Sequence, residues 1–400
     1  MSTESLNLSS PPTASIPIIN VRTIAVGVVL SGIGITYLSQ AFGWRQSALF
    51  GVGLGAGLVL YHAAFGFTSA WREILRTGRS AGLRAQLLML AVTTLVFLPL
   101  LADGQLWGME LRGAVRPLGV SVLAGAFLFG IGMQIGGGCA SGTLFTVGGG
   151  SVRMIVTLLS FIVGSALGAF HLPAWDTTPG VGPVSLQLEL GTAGAMTVTL
   201  AVLAVAWVGS SFIERRRHGE LSALGARPSR KTWLRGPWPL LAGALGLAAV
   251  NIATLALAGR PWGVTSGFAL WGSKTAAAAG LDVASWPYWQ SPAAAATLEA
   301  SVFSDITSVM NFGIILGALI AAGLAGRFSP VWRVPARSLL AAIVGGLLLG
   351  YGARIAYGCN IGAFFSGVSS SSLHGWVWLI AAFAGSALGT RLRPWFGLDR

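Results

Sequence analysis

The sequence predicts an all-α polytopic membrane protein. Of its 400 residues, 54% are hydrophobic and only 9% are charged, and the mean hydropathy is +0.74. A soluble domain carries about 25% charged residues and has no single core large enough to bury so much apolar surface. The apolar runs are continuous, which favours helices over the short alternating strands of a membrane β-barrel.

Ten apolar segments are long enough to cross a bilayer, since a spanning helix needs about 20 residues. Glycine interruptions and neighbouring apolar stretches allow a count of roughly nine to twelve. The segments lie near residues 23–43, 47–64, 86–102, 117–135, 153–170, 191–212, 237–258, 304–326, 337–353 and 374–391.

The basic residues predict the orientation of these segments. Residues 72–84 contain four arginines and residues 214–236 are strongly basic, whereas residues 171–189 contain no Lys or Arg. By the positive-inside rule the first two loops are cytoplasmic and the third is outside, which puts both termini in the cytoplasm of a bacterial inner membrane. The net charge of +13 then serves topology and contact with the lipid bilayer, and predicts no nucleic-acid partner.

This orientation divides the chain into four parts. Residues 1–20 are polar and rich in Ser and Pro, and are expected to form a disordered cytoplasmic tail, because they lack the basic start of a signal peptide. Residues 21–213 form a first membrane repeat, residues 214–236 a basic cytoplasmic linker, and residues 237–400 a second membrane repeat.

A duplicated motif surrounds the two cysteines. Residues 130–142 are GIGMQIGGGCASG and residues 350–362 are GYGARIAYGCNIG, which share G-x-G-x-x-I-x-x-G-C-x-x-G. GSALG occurs at 164–168 and again at 385–389, and GFTS at 66–69 resembles GVTS at 263–266. In the predicted orientation the two motif helices run in opposite directions. Inverted repeats with glycine-interrupted segments are typical of a transporter whose site lies between the repeats.

The matched positions make Cys139 and Cys359 candidate substrate-path residues, together with the preceding Gly138 and Gly358. A thiol donates and accepts weak hydrogen bonds, which suits a soft sulfur-bearing guest better than a hard oxyanion. Packing alone is the alternative for a lone cysteine, and reactive thiolate chemistry would need a lowered pKa. The spacing predicts neither a disulfide framework nor a metal site, and no cofactor is expected.

Polar residues near the motif are further candidates. Gln134 and Arg354 occupy equivalent places five residues before each cysteine, and an intramembrane arginine needs a passing anion, a salt bridge or access to the interface. Lys274 and Asp305 either pair with each other or line the path. Small polar side chains beside glycines are expected to hydrogen-bond an anion: Ser141, Asn360, Thr68 and Thr265.

The paired Gly-Cys motifs, the GSALG segments and the stretch WGVTSGFALWGSK resemble the YeeE/YedE family of sulfur-transport membrane proteins over about residues 45–395. The resemblance implies inverted repeats with short re-entrant helices that meet at an hourglass waist. It also implies uptake of thiosulfate, whose terminal sulfur is hydrogen-bonded and passed on by cysteine thiols, here Cys139 and Cys359. Family members often have a third cysteine, which this chain lacks.

Other functions remain open at the level of sequence. The substrate is thiosulfate or a related small sulfur anion, and a cytoplasmic sulfur-carrier protein or sulfur-responsive regulator is a further expected partner. A sensor of sulfur compounds and a membrane sulfurtransferase with a cysteine persulfide are the alternatives to transport. The Gly-x-Gly of the motif follows a membrane helix and the chain has no Walker lysine, which excludes a nucleotide site and favours a protein that is not an enzyme.

Overall fold

The computed structural model describes residues 19–225 and 229–398. Ten helical spans in these residues are long and apolar enough to cross a membrane, so the predicted fold class and the count of ten are confirmed. Most of the tail predicted at residues 1–20 lies outside the described residues.

The long helices are α1 (Val21–Phe42), α2 (Trp44–His62), α4 (Ala81–Asp103), α5 (Val120–Gly136), α7 (Val152–Asp176), α8 (Leu186–His218), α10 (Leu240–Ala258), α13 (Ile306–Ala325), α14 (Ala336–Ile355) and α16 (Leu373–Leu392). The short ones are α3 (Phe67–Arg76), α6 (Ala140–Gly148), α9 (Arg230–Arg235), α11 (Thr265–Ala278), α12 (Pro292–Glu299) and α15 (Ser366–Ser369). A π-helical turn, Asn360–Phe365, precedes α15, and 3₁₀ turns cover Val283–Ser285, Pro287–Trp289 and Arg393–Phe396.

Local sequence explains where several helices begin and end. The Asn20 side chain accepts from Thr23 N at 3.1 Å at the start of α1. The Asp305 side chain likewise accepts from Ser308 N at 2.8 Å at the start of α13. Such side-chain caps satisfy backbone N–H groups that have no partner within the helix. Gly104, which has φ +71°, follows α4 in the left-handed conformation that glycine adopts without steric cost.

The loops gather on two faces. The linker face contains residues 77–80, 149–151, 219–225, 229–239 and 326–335, and a hydrogen bond of 2.9 Å joins Arg79 Nη1 to Ser222 Oγ there. The basic loops predicted to share one side of the membrane therefore lie together.

The opposite face is called the hairpin face and contains residues 104–119, 177–185, 280–304 and 370–372. Two short antiparallel pairs lie on it that were not predicted: β1 (Gln105–Leu106) with β2 (Met109–Glu110), and β3 (Pro117–Gly119) with β4 (Gly180–Pro183). The Arg112 N–H also donates to the Gly259 carbonyl at 2.8 Å, so loops distant in sequence are joined.

Helices α5 and α14 cross through reciprocal glycine contacts. A Cβ on Gly132 would lie 2.8 Å from the Gly345 carbonyl oxygen, and a Cβ on Gly345 would lie 3.0 Å from the Gly132 carbonyl oxygen. Gly125 and Gly352 make the same kind of contact nearby, so residue numbers increase along α5 in the direction in which they decrease along α14. The two helices are thus antiparallel, and the two contacts are equivalent under the duplication, since Gly132 matches Gly352 and Gly125 matches Gly345.

The GSALG segments pack in matching ways. Gly164 of α7 lies against the Leu347 carbonyl of α14, and Gly385 of α16 lies against the Phe127 carbonyl of α5. Leu347 and Phe127 are themselves equivalent positions of the duplication. The absence of a side chain lets each backbone approach closely, which is the usual role of small residues spaced four apart in membrane helices.

Substitution of Gly130 by Ala is expected to destabilise the helix bundle. The added Cβ would overlap the Ala382 carbonyl oxygen, and such overpacking costs about 1–3 kcal/mol. Gly55→Ala is the matched control, since its Cβ would meet nothing within 4 Å. Thermal unfolding in detergent checks this: Gly130→Ala lowers the melting temperature and Gly55→Ala does not, whereas equal stability would contradict the packing described.

Candidate substrate path

Four short segments begin near one point inside the bundle. Their first turns belong to α3, α6, α11 and the π-helical turn, and each follows a backbone break that contains glycine. The ring of Phe67 lies 6.3 Å from that of Phe364, and a Cβ on Gly362 would lie 3.9 Å from Gly263 Cα. Because helix N-termini present free N–H groups and a positive dipole end, this point, called the waist, suits an anion.

Cys139 lies at the waist as the N-cap of α6. Its sulfur accepts from the Gly142 N–H at 3.4 Å and lies 3.5 Å from Ser141 Oγ. The backbone N–H of Phe67, at the start of α3, also interacts with this sulfur. The side chain is 2% exposed.

Cys359 occupies the equivalent place before the π-helical turn. Its sulfur is approached by the backbone N–H groups of Ile361 and Gly362, and the side chain is 1% exposed. The two cysteine side chains lie close enough to interact electrostatically. The Cys139 sulfur therefore accepts from backbone at a helix start, and the Cys359 sulfur lies near two backbone N–H groups at the equivalent place.

The glycines before the cysteines make the breaks possible. Gly137 has φ +95° and its equivalent, Tyr357, has φ +57°, so the backbone of both motifs turns through the left-handed region at the same place. Gly358 has φ +155°, and a Cβ there would lie 2.7 Å from Ala363 N. A Cβ on Gly138 would lie 3.2 Å from both Thr143 N and Met154 Cε. The backbone folds onto the following turn in both motifs.

Buried polar atoms without a hydrogen-bond partner cluster beside the cysteines. Asn360 is 0% exposed, and neither its amide oxygen nor its amide nitrogen has a partner. Thr68 Oγ1 is also buried and unpaired. Burying a polar group without a partner is costly, so such atoms point to a guest that supplies one. Thr265 is buried at the start of α11, at the same waist.

Gln134 acts as a brace between helices. Its amide nitrogen donates to the Thr68 carbonyl at 3.1 Å and to Ser386 Oγ at 2.6 Å, which ties α5 to α3 and α16. The Arg393 guanidinium donates to the Gln134 carbonyl at 2.6 Å. These contacts position the start of α3 against Cys139.

Arg354 lies toward the hairpin face. Its guanidinium donates to the Tyr288 hydroxyl at 2.7 Å and lies 5.0 Å from the Tyr288 ring centre. Its Nε is buried without a partner. The sequence left three possibilities for this arginine: a passing anion, a salt bridge or access to the interface. The salt bridge is not found among the described residues.

Lys274 and Asp305 are not brought together. Lys274 Nζ donates to the Leu298 carbonyl at 2.6 Å, at the end of α12. Asp305 is occupied as the N-cap of α13, where it also accepts from Ser308 Oγ at 2.7 Å. The pairing considered for them is not found, and each holds a local helix end.

Sequence reasoning missed a second polar network at the waist. Asn251 Oδ1 accepts from Trp262 N at 2.8 Å, and Ser366 Oγ donates to the Trp262 carbonyl at 2.7 Å. The Trp262 indole N–H is left unpaired, although the side chain is 1% exposed. Asn311 Nδ2 donates to the Val264 carbonyl at 3.0 Å. Asparagines within apolar helices were the available signal, since buried polar residues in a membrane mark functional sites.

A cavity approaches the waist from each face. On the hairpin face a cavity of about 490 Å³ is lined by Ser121, Trp175, Asp176 and Tyr357, among others. On the linker face a cavity of about 300 Å³ reaches Gly66, the residue before α3. Among the described residues no group of three or more His, Cys, Asp or Glu side chains could hold a metal ion.

Burial predicts that both thiols resist a bulky charged maleimide while the protein is folded, because such a reagent does not reach side chains at the waist. Gly182→Cys is the accessible control, since position 182 is exposed on β4. Mass spectrometry is expected to find one adduct on the folded control variant and three after unfolding in SDS. Rapid modification of Cys139 or Cys359 in folded protein would contradict the closed waist.

Comparison with known proteins gives consistent relatives. The profile of the family described as Sulphur transport matches residues 62–388. The chain is 30% identical to the thiosulfate transporter TsuA of Spirochaeta thermophila over 340 residues, which cover 82% of this chain and 92% of that protein. It is 24% identical to TsuA of Escherichia coli over 345 residues, or 82% and 89% of the two chains.

The probable transporter YedE of Escherichia coli is 31% identical over 164 residues, which cover 40% of this chain and 39% of YedE. The match therefore spans well under half the length of that relative. These relatives carry the names of transporters rather than enzymes. With the family profile over most of its length and ten membrane helices, the chain belongs to the YeeE/YedE family of sulphur-transport proteins.

Proposed function

We propose that this protein carries a small sulfur-containing anion, thiosulfate first, across the bacterial inner membrane through the waist between Cys139 and Cys359. One observation carries the proposal: both sulfurs lie at helix starts near backbone N–H groups, and the Cys139 sulfur accepts from the Gly142 N–H at 3.4 Å. The thiosulfate transporters TsuA, similar over most of their length, support the same substrate.

The two ends of thiosulfate suit two kinds of donor. Its terminal sulfur is large and polarisable and accepts the weak S–H hydrogen bond of a thiol. Its oxygens accept from backbone N–H groups at the starts of α3, α6 and α11, where the helix dipoles favour negative charge. A thiol offers no full charge, so it selects the sulfur without trapping the anion.

The unpaired side chains beside the cysteines complete the path. Asn360 Nδ2, Thr68 Oγ1 and Trp262 Nε1 are buried donors that lack partners. We assign them to the oxygens of the passing anion. Ser141, which contacts the Cys139 sulfur at 3.5 Å, holds that thiol in place, and Thr265 contributes to the start of α11.

We also infer that residues 21–213 and 237–400 are two inverted repeats joined by the linker 214–236. The antiparallel contact of α5 with α14 through equivalent glycines supports this inference. With the arginine-rich linker face in the cytoplasm, both termini are cytoplasmic. A cytoplasmic sulfur-carrier protein or a sulfur-responsive regulator would then meet the linker face.

Removal of either thiol by substitution with alanine is expected to reduce thiosulfate uptake at least about tenfold, because the path loses its sulfur-selective donor. The measurement is uptake of labelled thiosulfate into cells without other thiosulfate transporters, for Cys139→Ala and Cys359→Ala at equal protein level. Thr199→Val is the matched control, since Thr199 is buried on α8 and its hydroxyl has no hydrogen-bond partner among the described residues.

Wild-type uptake by both cysteine variants would refute the thiol relay. The same samples separate transport from sulfurtransferase chemistry. After exposure to thiosulfate, mass spectrometry is expected to find unmodified cysteines, whereas one added sulfur on Cys139 or Cys359 would favour a persulfide intermediate. Binding of thiosulfate with no uptake by the wild type would favour a sensor.

A further inference from the structure

Three arginines gather on the hairpin face above the waist. The segment that carries Arg116 adjoins Arg260, because the Arg112 N–H donates to the Gly259 carbonyl at 2.8 Å. The Arg116 N–H also donates to Ser372 Oγ at 3.4 Å beside the end of α14, and the positive charges of Arg354 and Arg260 both act on Arg116. Arg116 itself is exposed to solvent.

The three guanidinium groups have no carboxylate partner. None of them forms an ion pair among the described residues, where Arg112 pairs with Glu110 and Arg84 with Glu214. The Asp305 carboxylate, which caps α13, attracts Arg260 without forming a salt bridge with it. Arg354 and Arg260 both repel Arg116, so an anion beside Arg116 would be attracted.

Each arginine connects to an element that leads to the waist. Arg260 Nη2 donates to Thr307 Oγ1 at 3.1 Å, and Ser266 Oγ at the start of α11 donates to the same oxygen at 3.0 Å. Arg354 lies five residues before Cys359 on α14. The Arg116 N–H donates to Ser372 Oγ at 3.4 Å, at the start of α16.

Buried donors without partners lie in the same region. Arg354 Nε is buried and unpaired, and so is the Ser370 hydroxyl, which is 1% exposed. A Cβ on Gly113 would lie 3.2 Å from Ser370 Cβ, so this hydroxyl lies directly behind the segment that carries Arg116. Burial and the neighbouring Arg354 and Arg260 also lower the pKa of Arg116, and a bound anion would oppose that effect.

We propose that Arg116, Arg260 and Arg354 form a docking site for divalent tetrahedral oxyanions, which selects by charge before the waist selects by sulfur. Guanidinium groups bind such oxygens through paired N–H donors, and a charge of −2 gains twice the attraction of a monovalent anion. The site takes sulfate as well as thiosulfate, because no thiol takes part in it. This proposal rests on the proposed transport of thiosulfate for its biological role.

The test begins with binding to the full-length protein in detergent, with sodium thiosulfate and sodium sulfate as probes. Both anions are expected to bind the wild type, and Arg116→Gln is expected to weaken both about tenfold, as loss of a charged hydrogen bond does. Arg116→Lys restores part of the affinity. Arg112→Gln is the control, since Arg112 lies in the same loop but pairs with Glu110.

The second readout is uptake. Arg116→Gln and Arg354→Gln are expected to raise the KM for external thiosulfate about tenfold with little change in maximal rate, and sulfate is expected to compete in the wild type. Arginine variants with wild-type affinities for both anions, or binding of thiosulfate but not sulfate, would overturn the docking site. Arginine-dependent binding without any thiosulfate uptake would instead refute the proposed transport and leave the docking site standing.

Discussion

The structure depends on how a helix is interrupted inside a membrane. An open backbone in hydrocarbon leaves N–H and C=O groups unpaired, which is tolerated only where protein or a water-filled cavity surrounds them. Here the breaks before α3, α6, α11 and the π-helical turn lie together, and backbone N–H groups at three of these helix starts lie near the cysteine sulfurs. The free energy cost of unpaired backbone groups at the four helix breaks is therefore compensated at the waist, where the breaks meet.

Glycine packing makes that arrangement possible. The reciprocal contacts of Gly132 and Gly345 bring α5 and α14 together at the backbone, and the GSALG segments hold α7 and α16 against them. With larger residues these helices would separate, and the two cysteine loops would lose their common centre. The position of the two cysteines at the waist thus depends on glycine packing elsewhere in the helices.

The proposals give the two kinds of polar group separate tasks. The cysteines, Asn360 and Thr68 are uncharged and lie deep in the molecule, where a full charge would hold an anion too tightly. The arginines lie at the mouth on the hairpin face, where water reaches Arg116. Charge attraction far from the narrow point and weak bonds within it allow an anion both to enter and to leave.

Much of this was accessible from sequence because it is local or repeated. Hydropathy located the ten spans, and the duplication selected Cys139 and Cys359, which are both buried and close enough to interact electrostatically. Long-range contacts were not accessible: no local pattern joins Gln134 to Ser386, or separates Lys274 from Asp305. No local pattern relates Arg116 to Arg354 either, since their proximity depends on how distant segments fold together.

The most direct measurement of the central claim is a structure with selenosulfate, in which selenium replaces the terminal sulfur of thiosulfate and is located by its anomalous scattering. The account predicts a selenium peak at the waist within hydrogen-bonding distance of the Cys139 or Cys359 sulfur, with the oxygens toward the helix starts. A peak away from both cysteines, or an anion bound with its oxygens toward the thiols, would contradict selection by sulfur.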